Sequence, residues 1–188
     1  MTFLIDDTIC AIATPTGVGG IGIVRISGNT ALEIVKNCFY FQNKIIPRYV
    51  YFGHFKSHAD QSIIDSVCAI YFEGPFSYTG EDVVEIHCHS SVFILKRILE
   101  ECIILGARMA CKGEFTKRAF VNGKLDLTQA ESVIDLIHSE SKQAHRVSLA
   151  HVDGVLSEFI TSLRKPIKNM LEQVEASIDF PDEVDPVN

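Results

Sequence analysis

The chain has 188 residues, long enough for one or two domains with a proper core. Its 47% hydrophobic and 22% charged content is that of an ordinary globular protein rather than a disordered one. A net charge of -7 argues against tight nucleic-acid binding by the piece as a whole, because that rests on clustered Lys and Arg.

In chain order, Asp7 to Ala13 reads as a strand, followed by the loop Thr14-Pro-Thr-Gly-Val-Gly-Gly20. Ile21 to Ser27 is a second strand, with Gly22, Val24 and Ile26 on one face and Ile21, Ile23 and Arg25 on the other. Asn29 is the expected cap of a helix through Ala31, Ile34, Val35 and Cys38. Arg48 to Lys56 and Ile63 to Phe72 are two more strands joined by a turn at 58–62. The turn-rich loop Glu73 to Gly80 leads into a strictly alternating strand. On it Val84, Ile86 and Cys88 form a core face, while Val83, Glu85, His87 and His89 face away. A helix from Ser91 to Leu105 stops at Gly106, and Ala107 to Cys111 is a short strand.

From Gly113 onward no strand pattern remains. Glu114 to Val121 is a short helix. Asp126-Leu-Thr-Gln129 is a capping box opening one long helix through Val133, Ile134, Ile137, Ala144 and Val147. After Gly154 an apolar stripe from Leu156 to Ile178 marks a third helix, with Pro166 expected to kink it and Phe180-Pro-Asp-Glu to end it. Two or three amphipathic helices cannot close a core alone, so the expectation is an incomplete helical part.

The N-terminus lacks a basic n-region, and the stretch 91–105 is broken by Lys96, Arg97, Glu100 and Glu101, so neither a secretory signal nor a membrane span is expected. The six cysteines show no CxxC spacing and read as reduced core thiols of a cytosolic protein. Seven basic residues against three acidic ones between Lys96 and Lys124 read as a solvated charged face or as a patch facing an anion.

Several motifs can be weighed. Gly17-Val-Gly-Gly-Ile-Gly22 matches GxGxxG, but an alternating strand follows where a dinucleotide site needs a helix. His87-Cys-His89 is at most half a zinc site, and strand-end histidines beside a ligand pocket fit better. No GxxxxGK[ST] or GxSxG occurs in the chain. Glu85 is a mid-strand carboxylate that needs hydrogen-bond donors, from the protein or from a ligand. Arg25 is either its internal partner or presented to an anion. Lys124 by itself reads as a lysine at a helix C-terminus.

Four segments together resemble the N-terminal part of the MnmE/TrmE family of bacterial tRNA-modification GTPases. They are 7–28 (DTICAIATPTGVGGIGIVRISG), 73–89 (EGPFSYTGEDVVEIHCH), 113–137 (GEFTKRAFVNGKLDLTQAESVIDLI) and 174–183 (VEASIDFPDE). The resemblance implies an α+β fold. Residues 1–121 would be a mixed-sheet α/β domain similar to tetrahydrofolate-binding aminomethyltransferase domains, and dimerising. Residues 122–188 would be the first helices of a helical domain, without the GTPase domain. It implies modification of the wobble uridine of tRNA with a flavin-dependent partner, MnmG, in the cytoplasm, using a one-carbon tetrahydrofolate such as 5-formyltetrahydrofolate. GTP, magnesium and potassium would belong to a domain outside this chain. By position, the family's folate contacts fall on Arg25, Glu85 and Lys124. Three positions depart from the family pattern: Val18 for a basic residue, Ser90-Ser91 for two glycines, and Pro166 inside a helix. They leave a second reading, a structural dimerisation module whose folate pocket has decayed.

Overall fold

The computed structural model describes residues 7–15, 17, 19–41 and 44–179. Val18 and the Phe180-Pro-Asp-Glu stop expected for the last helix lie outside the described residues. The chain divides into two compact units, the first ending at Lys124 and the second beginning at Leu125.

The first unit is α+β. Its strands are β1 (Ile9–Ile12), β2 (Ile21–Ser27), β3 (Val50–Lys56), β4 (Ile63–Phe72), β5 (Val83–His89) and β6 (Arg108–Met109). They form one sheet in the order β3-β4-β5-β2-β1-β6. Only the β1–β6 pair is parallel, so the sheet is mixed. Helices α1 (Ala31–Cys38) and α2 (Val92–Ile104) pack on one face, and α3 (Glu114–Val121) follows β6. The alternation anticipated on β2 and β5 is largely observed: Val24, Ile26, Val84 and Ile86 are fully buried against Ile34, Val35, Leu95 and Ile98, although Val83, expected to face away, is buried too. Gly22 lies on that core face because a Cβ there would come within 2.9 Å of Leu95. Burial pushes the thiols of Cys10 and Cys88 up to about 11 and that of Cys38 up to about 12. These three cysteines therefore behave as core residues.

Several boundaries differ from the sequence expectation. Strand β3 starts at Val50 rather than Arg48, because Arg48 has φ 64 and donates its N–H to Tyr71 O, a conformation no strand allows. The cap of α1 is Thr30, not Asn29, and its side chain makes no capping bond. Its hydroxyl pairs instead with that of Thr8 at 2.7 Å.

The second unit is helical: α4 (Leu127–Ile137), α5 (Lys142–Val152) and α6 (Val155–Asp179). The capping box at Asp126 is present in full, with Asp126 accepting from Gln129 N and Gln129 accepting from Asp126 N. The single long helix expected from this cap is instead two. Ser139 donates its hydroxyl back to Leu136 O, and Ser141 accepts from Ala144 N as a new N-cap. Serines that bond locally to backbone stop one helix and start the next. Pro166 sits inside α6, which runs on to Asp179.

Candidate functional site

The sheet face away from α1 and α2 carries the polar cluster. Antiparallel pairing of β2 and β5 places Arg25 directly opposite Glu85. Cross-strand neighbours on one face stand close enough for side chains to meet. Arg25 Nε donates to Glu85 Oε1 at 2.8 Å, and its Nη2 lies 2.7 Å from the same oxygen. Glu85 Oε2 has a longer contact, 3.4 Å, with His87 Nε2. The Glu85 side chain is 15% exposed and that of Arg25 27%. The Arg25 guanidinium lies 5.5 Å from the ring centroids of both Tyr78 and Phe115, a cation–π arrangement.

Those rings arrive on two different elements. Tyr78 comes from the loop between β4 and β5, and Phe115 from α3. The Tyr78 hydroxyl bonds Thr116 Oγ1 at 2.8 Å and so ties loop to helix. The loop is also held at Gly74 N by Asp82 Oδ1, at Thr79 by the Ser27 hydroxyl, and at Thr79 O by Asn122 Nδ2. Lys124 Nζ donates to Pro75 O at 3.0 Å. Of the three residues anticipated for this site, Arg25 and Glu85 are therefore joined directly. Lys124 instead attaches to the same loop and is a hydrogen-bond partner of neither. The two histidines go to different carboxylates: His87 faces Glu85, whereas His89 Nδ1 pairs with Asp65 at 2.8 Å.

Beside the site lies an ion-pair cluster that sequence reasoning missed. Arg118 is nearly buried and pairs with Asp7, Glu81 and Glu114. Arg108 pairs with Asp7 at 2.7 Å and Glu114 at 2.6 Å. Burial pushes the Glu114 carboxyl up, but hydrogen bonds from Arg108, Cys111 N–H and Arg118 outweigh it and hold the group at about 2. The Ser27 hydroxyl donates to Glu81 Oε2, linking the cluster to β2. Arg118 is thus enclosed rather than on a solvated face or an anion patch, and the partly exposed Arg108 is committed to the same carboxylates. Only their charge was visible in the sequence, and the partners lie up to 111 residues away.

Residues 8–124 match the family model "GTP-binding protein TrmE N-terminus", and residues 127–188 match "MnmE helical domain". Relatives named tRNA modification GTPase MnmE include that of Alkaliphilus oremlandii, 45% identical over 97% of this chain and 41% of the relative. That of Bdellovibrio bacteriovorus is 49% identical over 93% of this chain and 36% of the relative. That of Aquifex aeolicus is 48% identical over 94% and 39%. The chain spans about two fifths of the length of these relatives. With the family models matching in order across both units, the chain belongs to the TrmE/MnmE family.

Proposed function

We propose that this chain is the N-terminal module of a tRNA-modification GTPase, which binds a one-carbon tetrahydrofolate and dimerises to serve C5 modification of the wobble uridine. The observation that carries the reading is the half-buried Arg25–Glu85 pair between the rings of Tyr78 and Phe115. The residues suit a folate. Glu85 Oε1 takes both Arg25 bonds, but Oε2 has only the long contact with His87, so acceptor capacity remains for the N–H groups of a reduced pterin. Tyr78 and Phe115 supply flat apolar surface, and Arg25 and Lys124 supply positive charge for electron-rich oxygens. When bound, the folate would provide the one-carbon unit, while these residues bind and orient it. The tRNA, the flavin-dependent partner MnmG, the cytoplasmic setting and the use of GTP with magnesium and potassium belong to the same proposal for the whole protein. With no P-loop in its sequence, the chain alone is expected neither to bind nor to hydrolyse GTP. Micromolar binding of fluorescent GDP would contradict that.

Calorimetric titration with 5-formyltetrahydrofolate tests the folate reading. Glu85→Ala should weaken binding by about 2–4 kcal/mol, because it leaves buried donors unpaired. The second reading, a structural module with a decayed pocket, is favoured by the way Arg25 and Glu85 already satisfy each other. It predicts no folate heat and a lowered melting temperature for the same variant. Ser91 has φ -89, a backbone conformation that needs no glycine.

Two exposed apolar surfaces support self-association: Val50 and Phe52 on the edge strand β3, and the stripe on α6. If the sheet unit forms the dimer, residues 1–123 should still be dimeric by light scattering, and folate should strengthen the dimer if both subunits line its pocket. A monomer with and without ligand would assign the association to the helices.

A further inference from the structure

The segment joining α1 to β3 differs in composition from the rest of this acidic chain. From Ile34 to Ala59 there is no Asp or Glu, while there are four Lys or Arg and seven aromatic residues. The fold gathers part of this stretch around a cavity of about 380 Å³ lined by Lys36, Phe39, Tyr40, Phe41, Lys44 and Ile45. Phe39 is buried, and its ring lies across Gly53 of β3, where a Cβ would come within 2.9 Å of it. Phe41 stands edge-on to Phe39 at 4.9 Å and to Tyr51 at 5.2 Å, so the wall is an interlocked aromatic set. The Tyr51 hydroxyl accepts from Ile46 N at 2.7 Å and fastens the far rim.

Tyr40 is different. It is 81% exposed. Lys36 and Lys44 are exposed as well. Lys36 stands in the last turn of α1. A rigid aromatic wall, a free ring at the lip and two cations with no acidic residue among the lining groups match a flat heteroaromatic base carrying a phosphate.

We propose that this cavity is a nucleotide-binding subsite that stacks one base of a single-stranded RNA against Tyr40 and holds its phosphate with Lys36 and Lys44. It is independent of the folate reading, because the residues lie on different elements from Arg25 and Glu85. The overall charge of -7 weakens non-specific RNA binding, so the contact is one of stacking with local charge rather than of a broad basic surface. The source of the nucleotide is an RNA strand, and a free mononucleotide offers the same chemistry.

The test uses the 188-residue chain and a short fluorescein-labelled single-stranded oligouridylate, read by anisotropy at low salt. Binding tighter than about 100 μM is expected. Tyr40→Ala should weaken it at least about fivefold, the lower end of what one base stack contributes, while Tyr40→Phe should retain it. Lys44→Glu should weaken it and reduce the salt dependence. Calorimetry with 5-formyltetrahydrofolate should be the same for Tyr40→Ala and the parent chain, which separates failure here from failure of the folate reading. Displacement by uridine monophosphate at millimolar concentration supports the site with a mononucleotide as its source. No binding at low salt, unchanged binding by Tyr40→Ala, or displacement by polyphosphate as effective as that by oligouridylate would overturn the proposal. Tyr40 is a surface residue, so its variants should keep the parent melting temperature.

Discussion

The two units of this chain use amphipathic patterning equally and end with opposite surfaces. In the sheet unit the apolar faces of β2, β5, α1 and α2 meet, and Val24, Ile26, Ile86 and Ile98 lose all exposure. In the helical unit α6 carries a stripe as regular as any, yet none of its residues is buried, and Phe159, Ile167 and Met170 remain more than half exposed. Periodicity therefore specifies an element and the face it would bury, but not whether anything covers that face. The ionic groups divide in the same way. Arg118 and Glu114 are enclosed and hold several partners each, whereas Lys168 and Glu172 on α6 make an exposed pair at 3.5 Å.

The sharpest test of this contrast is Arg118→Ala. It leaves Glu81 without its cation and Asp7 and Glu114 with Arg108 alone, and it should cost about 3–5 kcal/mol in urea unfolding of the sheet unit. Ile98→Ala, at a site with no exposure, should cost about 2–5 kcal/mol. The same substitution at Ile167 on α6 should stay within about 0.5 kcal/mol for the chain by itself. A loss at Ile167 comparable to that at Ile98 would show that α6 is covered in solution.

Acid titration sharpens the comparison further. The folded Glu114 carboxyl, at about 2, lies below its ordinary value of 4.5. Its stabilising contribution is therefore complete above about 4.5 and disappears as the pH falls toward 2. Asp7 is also held below its ordinary value, chiefly by its hydrogen bond with Arg108 against the opposing effect of burial, and loses its contribution over the acid range too. Glu114→Gln should flatten the acid limb of sheet-unit stability in part, while the helical unit melts with the parent's pH dependence. Among these changes the smallest expected above the surface background is Asp126→Ala. Loss of that capping box should cost about 1 kcal/mol, read as reduced helicity in α4.

Much of the first unit was legible before the structure. Strict alternation in 83–89 and 21–27 places Glu85 and Arg25 off the core face, because a strand's side chains can only alternate. The Asp126 capping box was legible for a similar reason: its reciprocal bonds span three residues and need nothing else. The break between α4 and α5 was missed although its signal, Ser139 and Ser141, was present. The apolar spacing of Val133 to Val147 continues across it, and a helical period can run through a turn that the backbone does not. The start of β3 was placed too early because Arg48 takes a left-handed conformation that its residue type rarely adopts.

By itself, the sequence determined the type of most elements, their inward faces and the local caps, all set by neighbours within a turn or two. It also held the family pattern, which is distributed along the chain. Tertiary structure alone decided which strands became neighbours, and so brought Arg25 onto Glu85 across 60 residues and Arg118 onto Asp7 across 111. It also decided that Lys124 goes to a backbone carbonyl of the 73–82 loop and that the rings of Tyr78 and Phe115 meet over one guanidinium. Local rules act through backbone geometry and are written residue by residue. Pairing between distant charges depends on strand order and register, which emerge only when the apolar faces close together.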